Sequence, residues 1–378
     1  MRSLSDIQNL NGVRVLVRAA LNVPVAHGKV VNNFRLRGAL PTINYLREKG
    51  AKVILISHIS HKETPSLAPM WEAMKEFIPD VQFVADIVGS DAQRAVAALT
   101  PGNVLILENL RQDAREEGND EEFARELASL GDIFIQDTFD VCHREHASIV
   151  GIPKFLPSYA GLLVEKEVTE LSRALSPVAP SLAVVGGAKF STKEPVLKKL
   201  LATYDQVFVG GALANDFLKL AGNPVGVSLV SGEHEEDIKE LLQNDRLVVP
   251  VDAIVAPKGG ARTEGRVAEL SDVKEDEAIL DVGPKTVEML AEIAKNSKSV
   301  LWNGPLGNYE NGFTDGTEGA ARAIAGSGAH SVVGGGDTIA AIEYLGIGEQ
   351  FSFISTGGGA MLDFLAEGTL PGIEALNS

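Results

Sequence analysis

The sequence predicts an α/β protein built from two doubly wound, mainly parallel sheets. Short apolar runs rich in β-branched residues recur along the chain and alternate with helical patterns, which is typical of parallel sheets covered by helices. About five such runs precede residue 150 and at least as many follow residue 180. A single sheet would not comfortably hold all of them, so we expect two.

The predicted strands are apolar on both faces, which indicates burial on both sides of a sheet. They cover residues 13–17, 53–56, 104–107, 133–135, 182–185, 207–209, 300–302, 331–333 and 351–354.

Two helices have clear boundary signals, and a third pattern joins the two groups of strands. Pro41 at a first helical position predicts a helix that ends at Gly50. Asn119 predicts a helix start, because Glu122 at the third position completes a capping box. Apolar residues repeat at helical spacing within 156–175, where Ser176-Pro177 would end the helix, so we interpret this segment as an interdomain connector.

Composition limits the classes of function. The 378 residues carry 34 basic and 51 acidic side chains, a net charge of −17, which disfavours nucleic acid and anionic lipid as partners. No apolar stretch reaches the ~20 residues of a membrane span, and the first residues do not resemble a signal peptide. The single cysteine, Cys142, excludes an intramolecular disulfide and a Cys-rich metal site. We therefore expect a soluble, cytoplasmic protein.

Glycine clusters follow the predicted strands of the second half, at the sheet edge where parallel sheets bind ligands. Glycine allows backbone N–H groups to approach a ligand, and a following helix N-terminus favours an anion. These clusters predict a phosphate or nucleotide site, although they could simply relieve crowding in strand-to-helix turns. Neither a P-loop nor a G-x-G-x-x-G motif is present. The clusters are Gly186-Gly187-Ala188-Lys189, Gly210-Gly211-Ala212, Asn303-Gly304-Pro305, Gly334-Gly335-Gly336-Asp337-Thr338 and Ser355-Thr356-Gly357-Gly358-Gly359.

Charged residues within these clusters suggest how a nucleotide would be held. Lys189 and Lys193 could reach polyphosphate oxygens, or they could mark an ordinary solvated helix start. Asp337 could cap the helix beginning near Thr338, and it could also hold a metal ion bound to nucleotide phosphate. Glu310 could accept ribose hydroxyls or be an exposed loop residue.

Basic residues occupy the corresponding positions in the first half. Arginine pairs bidentately with phosphate and carboxylate oxygens, so their clustering in an acidic protein predicts a small anionic substrate. Each arginine alone is more often a surface residue, and metal binding by the histidines is a weaker alternative because H-E-x-x-H is absent. A nucleotide half and an anion half together suggest phosphoryl transfer. The residues are Arg18, Arg35, His58, His61, Lys62, Arg111, His143, Arg144 and His146, with Asn22 beside them.

A series of short motifs, in the same order along the whole chain, resembles those of a known family. They are Val17-Arg18, Asn22-Val23-Pro24, Arg35, Ala39-Leu40-Pro41-Thr42-Ile43, Ser57-His58, Leu107-Glu108-Asn109-Leu110-Arg111, His143-Arg144, His146, Gly186-Gly187-Ala188-Lys189, Trp302-Asn303-Gly304-Pro305, Gly334-Gly335-Gly336-Asp337-Thr338, Ser355-Thr356-Gly357-Gly358-Gly359-Ala360 and Leu370-Pro371-Gly372. On these motifs the chain resembles the phosphoglycerate kinases over essentially its whole length.

The resemblance implies two Rossmann-like domains joined by a hinge helix, with the C-terminal tail returning to the first domain. The implied division is an acidic-substrate domain of residues 1–157 and 362–378, a hinge helix over 158–176 and a nucleotide-binding domain over 177–361. The family transfers a phosphoryl group reversibly between 1,3-bisphosphoglycerate and ADP, using Mg²⁺. We expect a monomer whose two half-sites meet only when both substrates are bound.

The resemblance also implies site residues. Substrate-binding positions are Ala20, Leu21, Asn22, Arg35, His58, Ile59, Ser60, His61, Arg111 and Arg144. Positions for ATP or ADP are Gly187, Ala188, Lys189, Lys193, Gly211, Asn303, Pro305, Glu310, Gly334, Gly335, Gly336, Asp337 and Thr338. Asp337 would lie near Mg²⁺, and catalysis is assigned to Lys189, Arg35, Gly336 and Gly358, with Lys189 on the transferring phosphate.

Departures from the family pattern concentrate in the substrate half. Ala20 replaces an aspartate, His61 an arginine and Asp140 a glycine, and Glu145 follows Arg144. Three hypotheses follow: a phosphoglycerate kinase with a remodelled glycerate site, a kinase of the same fold acting on another small anion, and a non-catalytic nucleotide-binding protein.

Overall fold

The computed structural model describes residues 1–60 and 65–377, so His61 and Lys62 lie outside the described residues. The chain divides into two compact units, one comprising Met1–Thr169 with Thr369–Ser378 and the other Glu170–Gly368. Each unit contains a six-stranded parallel sheet among its described residues, which confirms the predicted α/β class with two parallel sheets.

All nine predicted strands are present, with ends displaced by at most two residues. The strands of the described chain are β1 (Arg14–Ala19), β2 (Val25–Ala26), β3 (Lys29–Val30), β4 (Lys52–Ile56), β5 (Gln82–Phe83), β6 (Val104–Ile106), β7 (Ile133–Asp137), β8 (Ser158–Ala160), β9 (Ser181–Val185), β10 (Gln206–Val209), β11 (Leu247–Val248), β12 (Asp252–Pro257), β13 (Arg266–Glu269), β14 (Glu277–Val282), β15 (Ser299–Asn303), β16 (His330–Gly334) and β17 (Phe353–Ile354).

Helices alternate with these strands. They are α1 (Phe34–Glu48), α2 (Ala68–Met74), α3 (Ser90–Ala98), α4 (Glu121–Ser129), α5 (Leu162–Ala174), α6 (Glu194–Thr203), α7 (Ala212–Leu220), α8 (Glu235–Leu242), α9 (Pro284–Asn296), α10 (Asp315–Ala325), α11 (Gly336–Leu345), α12 (Gly359–Glu367) and α13 (Pro371–Glu374). None of these helices combines the length and apolar character that crossing a membrane requires.

The sheet of the first unit has the order β5-β6-β4-β1-β7-β8, and its neighbouring strands are all parallel. β1 lies in the interior of this sheet, so its side chains alternate between two buried faces. Val15 and Val17 pack into the core on one face, and Leu16 packs into the core on the other. The carboxyl ends of β1, β4, β6 and β7 therefore lie together along one edge.

The sheet of the second unit has the order β11-β10-β9-β15-β16-β17, and its neighbouring strands are also parallel. This unit also contains a three-stranded antiparallel sheet, β13-β12-β14, which the sequence analysis missed. Its outer strand β13 is short and exposes Val267 on one side, so it lacks the two-sided apolar pattern used to find strands.

Two predicted helix starts are wrong. Pro41 lies inside α1, which begins at Phe34, where the Asn32 Oδ1 accepts the Phe34 N–H at 2.8 Å. Asp120 caps α4 by accepting the Phe123 N–H at 2.8 Å, whereas Asn119 has a φ of 51° outside the helix. Neighbouring Asn and Asp residues are both strong caps, so the sequence alone did not distinguish them.

The predicted connector contains α5, and the boundary between the two units falls within this helix. Its first turn is held by Asp137, whose Oδ1 accepts the Leu163 N–H at 3.0 Å, and by Thr42, whose hydroxyl accepts the Leu162 N–H at 2.9 Å. A Cβ at Gly161 would lie 2.1 Å from the Asp137 Oδ1, so this carboxyl requires glycine there. Burial raises the pKa of Asp137 to about 8.

The C-terminal segment belongs to the first unit. Gly372 donates its N–H to the Cys142 carbonyl at 2.8 Å, and a Cβ at Gly372 would lie 2.8 Å from Ile149 Cγ2. Burial also raises the pKa of the Cys142 thiol, which argues against a reactive thiolate.

Candidate functional site

Arg18 is the most deeply buried basic residue of the predicted anion site. It lies inside β1 rather than after it, which corrects the predicted position, and its side chain is among the largest fully buried ones. Its Nε donates to the Ser148 hydroxyl at 2.8 Å, and a terminal nitrogen lies 2.9 Å from His58 Nδ1. Arg18 therefore positions the neighbouring groups instead of facing solvent.

Glu116 balances this buried charge. The Ser148 hydroxyl accepts from Arg18 and donates to Glu116, and the Ser148 N–H donates to the Glu116 Oε2 at 2.9 Å. Glu116 is fully buried, although it begins an acidic run of the sequence. A buried charge paired through hydrogen bonds avoids most of the desolvation cost of an isolated one.

His58 is held in its neutral form. Burial lowers its pKa well below the usual value, and the positive charges of Arg18, Arg111 and Arg35 lower it further. A neutral imidazole that accepts from Arg18 through Nδ1 carries its proton on Nε2. The structure therefore brings these three predicted arginines close to His58.

Arg35 is partly exposed and lies at the start of α1. Its guanidinium donates to the Asn22 carbonyl at 2.8 Å and lies 3.6 Å from the Asp140 carboxylate. Asp140 also accepts a hydrogen bond from the Thr138 hydroxyl at 2.5 Å. The neighbouring positions Ala20 and Leu21 are buried and carry apolar side chains, so they offer a ligand no side-chain hydrogen bond.

Arg111 and the turn after β4 are connected. Arg111 donates to the Ser60 hydroxyl, and its Nε lies 3.2 Å from the Glu117 Oε1. Asn109 fixes the same turn, because its Oδ1 accepts the Ile59 N–H at 3.1 Å. Arg144 is exposed on the turn before the π-helical segment Ala147–Gly151, where an incoming anion can reach it.

The nucleotide candidates lie around a cavity of about 390 Å³ within the second unit. Six predicted residues line it: Gly187, Ala188, Gly211, Pro305, Glu310 and Asp337. Its apolar wall includes Leu218, Leu229 and Leu306, which the sequence analysis missed. Leu218 could have been found from the sequence, because α7 begins directly after the glycine cluster at Gly211 and carries Leu218 on its buried side. A cavity with apolar walls and a few polar groups at its edge suits a flat heterocyclic base.

The glycines of this site divide into two groups. Gly211 has a φ of 68°, and a Cβ there would lie 2.7 Å from the Gly187 carbonyl, while a Cβ at Gly186 would lie 2.1 Å from the Pro305 carbonyl. These glycines are required because three loops pack backbone against backbone. In contrast, a Cβ at Gly336 or Gly358 would meet nothing within 4 Å. Crowding within the protein explains neither glycine, but Gly358 has a φ of 52°, which favours glycine, so only Gly336 is left without a structural reason.

Lys193 is buried, which corrects the alternative of a solvated helix start. It is the residue before α6, and its Nζ donates to the Asn303 Oδ1 at 2.9 Å. Burial lowers its pKa to about 8, and among the described residues no carboxylate pairs with it. Lys189 lies in the preceding turn and is exposed.

The start of α11 carries the predicted glycine cluster 334–338. Gly335 precedes the helix with a φ of 101°, and the buried Thr338 hydroxyl has no hydrogen-bond partner within the described chain. Asp337 does not cap this helix, which corrects that expectation. Partial burial raises the pKa of Asp337, and the negative charge of Glu310 raises it further. A Cβ at Gly334 would lie 2.2 Å from the Met361 sulfur, so this glycine serves packing.

Comparisons with known proteins agree across the chain. A family model described as "Phosphoglycerate kinase" matches residues 4–368. The chain is 44% identical over 389 residues to the phosphoglycerate kinase of Thermus thermophilus, covering all of both chains. It is 42% identical over 387 residues to that of Moorella thermoacetica, covering 99% of this chain and 98% of the relative.

Solved structures give the same result. The phosphoglycerate kinase of Pyrococcus horikoshii superposes with a TM-score of 0.90 at 32% identity, over 100% of this chain and 98% of the other. That of Coxiella burnetii gives a TM-score of 0.85 at 38% identity, over 99% and 98%.

Proposed function

The chain belongs to the phosphoglycerate kinase family, and we propose that it transfers a phosphoryl group reversibly between 1,3-bisphosphoglycerate and ADP, giving 3-phosphoglycerate and ATP. It is therefore a phosphotransferase that acts on small molecules in glycolysis. The observation that carries the proposal is Lys193, a buried cation at the glycine loops with no described carboxylate beside it. A buried charge without a counter-ion is costly, so this site is built to receive an anion.

The proposed acceptor site is the basic cluster of the first unit. Arg35, Arg111 and Arg144 supply positive charge, and His58 and Asn22 supply uncharged hydrogen-bonding groups. 3-Phosphoglycerate carries a phosphate and a carboxylate, both of which arginine binds through paired N–H groups. Burial lowers the His58 pKa most, and the positive charges of the neighbouring arginines lower it further. An anionic ligand would offset these clustered positive charges, which supports an anion site here.

The proposed nucleotide site is the cavity of the second unit. The base would contact its apolar wall, Glu310 would accept ribose hydroxyls, and the phosphates would lie between Lys193 and the start of α11. The Thr338 hydroxyl, which has no hydrogen-bond partner within the described part of the chain, and the open space at Gly336 support this placement. Lys189 would contact the transferring phosphate, and Gly358, at the start of α12, would leave room for it.

Mg²⁺ fits beside Asp337. Its carboxylate is a hard oxygen ligand, which Mg²⁺ prefers, and its pKa is raised by burial and, to a lesser extent, by the negative charge of Glu310. Mg²⁺ bound to the nucleotide would offset the negative charge of the phosphates. A cytoplasmic location is part of this proposal and is supported by the family's place in glycolysis; the monomeric state stays a prediction.

Turnover with 3-phosphoglycerate and MgATP tests the proposal. Steady-state rates above those of a Lys189→Ala, Lys193→Ala double variant would support it. Tight nucleotide binding in calorimetry without transfer to 3-phosphoglycerate would contradict it. In that case a panel of other phosphorylated and carboxylic acids would separate a kinase of changed specificity from a nucleotide-binding protein.

The replaced residues allow a second test. We expect the double variant Ala20→Asp, His61→Arg to increase activity on 3-phosphoglycerate if these replacements weaken the acceptor site. Unchanged activity would show that other residues, such as Arg111 and Arg144, already compensate. The Ala20 position is buried, so the melting temperature must be measured alongside activity.

A further inference from the structure

Outside the nucleotide cavity, three metal-ligating side chains of the second unit converge at the first turns of α6 and α8. They are Glu194, the first residue of α6, His234, the residue before α8, and Asp237 in its first turn. His234 Nδ1 lies 3.6 Å from the Glu194 Oε2 and 3.7 Å from the Asp237 Oδ2. The three ligand atoms all lie within 4.8 Å of one another.

We propose that Glu194, His234 and Asp237 form a binding site for a divalent first-row transition ion such as Zn²⁺. Bonds of about 2.0–2.1 Å in a tetrahedral site place neighbouring ligand atoms about 3.3–3.4 Å apart. The observed separations from the imidazole exceed this by only a few tenths of an ångström, which small side-chain movements can close. Three protein ligands leave a fourth position for water.

Lys198 supports this arrangement instead of occupying it. Its ammonium contacts the other oxygen of each carboxylate, the Glu194 Oε1 at 2.7 Å and the Asp237 Oδ1 at 3.3 Å. One oxygen of each carboxylate therefore contacts the lysine, and the other oxygen faces the imidazole. Groups that hold the outer atoms of metal ligands orient the inner ones, and this is the role of Lys198 here.

The imidazole decides the class of ion. Ca²⁺ and Mg²⁺ prefer oxygen ligands throughout, whereas one imidazole with two carboxylates suits Zn²⁺, Co²⁺ or Ni²⁺. The Phe190 ring lies 5.6 Å from the His234 ring, so the imidazole packs against an aromatic neighbour. The site is thus distinct from the Mg²⁺ position at Asp337, which offers a carboxylate.

The proposed site adjoins the turn that carries the nucleotide lysines. Both Lys193 and Glu194 donate their N–H groups to the Phe190 carbonyl, at 2.8 and 2.9 Å. An ion at this site would join the start of α8 to the first residue of α6. Because it would bind the folded state only, we expect Zn²⁺ to raise the melting temperature without any nucleotide present.

Cobalt provides a direct test, because Co²⁺ in a tetrahedral site absorbs visible light strongly. We titrate the untagged full-length chain with Co²⁺ alone and then displace it with Zn²⁺. We expect one equivalent of bound Co²⁺, displacement by Zn²⁺, and at least a tenfold weaker affinity in His234→Ala and in Asp237→Asn.

His27→Ala serves as the matched control, since His27 is an exposed histidine elsewhere, and it should bind like the wild type. A wild type without stoichiometric Co²⁺ absorption, or with absorption unchanged in His234→Ala, would show an ion-pair network only and overturn the proposal. The readout does not depend on catalysis, so it remains informative even if the proposed kinase activity fails.

Discussion

The Arg35 guanidinium lies 3.6 Å from the Asp140 carboxylate, so the proposed acceptor site contains its own internal anion. The Asp140 side chain is almost fully buried, whereas Arg35 is partly exposed. An incoming phosphate or carboxylate must therefore compete with Asp140 for this arginine. Asp140 is one of the chain's expected departures from its family, so we expect it to influence acceptor affinity.

Replacing Asp140 by asparagine should strengthen acceptor binding. The new amide would keep an oxygen for the Thr138 hydroxyl but would no longer neutralise Arg35. We expect the KM for 3-phosphoglycerate to fall about threefold to tenfold, as for the loss of one partly solvated ion pair, with the KM for ATP unchanged. Steady-state kinetics measure both, and the exposed Glu145→Gln is the control for a general charge effect. An increase in the KM for 3-phosphoglycerate would show that Asp140 aids binding.

Replacing Lys193 by methionine should separate stability from nucleotide affinity. Burial lowers the Lys193 pKa from 10.5 to about 8, so between these values the unfolded chain holds a proton that the folded protein has released. Stability therefore rises with pH across this window, and below pH 8 the full cost of burying the charge is present. Methionine removes that cost.

At pH 7 we expect Lys193→Met to raise the free energy of unfolding by about 1–2 kcal/mol, after allowing for the lost hydrogen bond to Asn303. The KM for ATP should rise at least about tenfold, because a charge-assisted contact to phosphate is lost. Urea denaturation and kinetics measure these changes. Lower stability at pH 7 with unchanged ATP affinity would contradict both roles.

A pair of glycine variants should distinguish ligand space from packing. Gly336→Ala adds a methyl group that meets nothing within 4 Å, so it should leave the melting temperature nearly unchanged and weaken nucleotide binding. Gly211→Ala forces a side chain into a φ of 68° and against the Gly187 backbone, so it should destabilise by about 2 kcal/mol or more. Calorimetry with ATP and thermal melting measure the two effects. Normal ATP affinity in Gly336→Ala would argue against phosphate binding at α11.

Asp137 should make stability depend on pH. Its pKa is raised from 3.8 to about 8, so between these values the folded protein holds a proton that the unfolded chain has released. The contribution of Asp137 to the free energy of unfolding therefore falls as pH rises between these two pKa values. Asp137→Asn mimics the protonated acid, and its advantage over the wild type should grow from pH 5 to pH 8 by up to about 1 kcal/mol per pH unit.

Chemical denaturation at several pH values measures this advantage, with the exposed Asp363→Asn as the control. An advantage that stays constant between pH 5 and pH 8 would show that Asp137 is ionised in the folded protein throughout this range.

The sequence predicted the two parallel sheets well because buried strands have a strong local pattern. It failed where two local signals competed or where packing decided the outcome. Pro41 was placed at a helix start, although α1 accommodates it internally, and Asn119 was chosen over the true cap, Asp120. Strand β13 alternates in burial and is short, so its pattern was too weak to detect.

For the candidate site, the residue types were predictable but their environments were not. Arg18 and Lys193 were identified as cations, yet only the structure shows that both are buried and held by Ser148 and Asn303. Similarly, the glycine clusters were evident in the sequence. Which glycines are forced by backbone contact and which leave open space depends on loops that are distant along the chain.

The contribution of Thr369–Ser378 to the first unit has a consequence for biosynthesis. The second unit is continuous in the chain, so it can fold as soon as its own residues leave the ribosome. The first unit begins earlier but lacks the segment that packs on Cys142 and Ile149 until the second unit has been translated. At about 5–20 residues per second, its unfinished core waits for many seconds, a period in which chaperones have access to it.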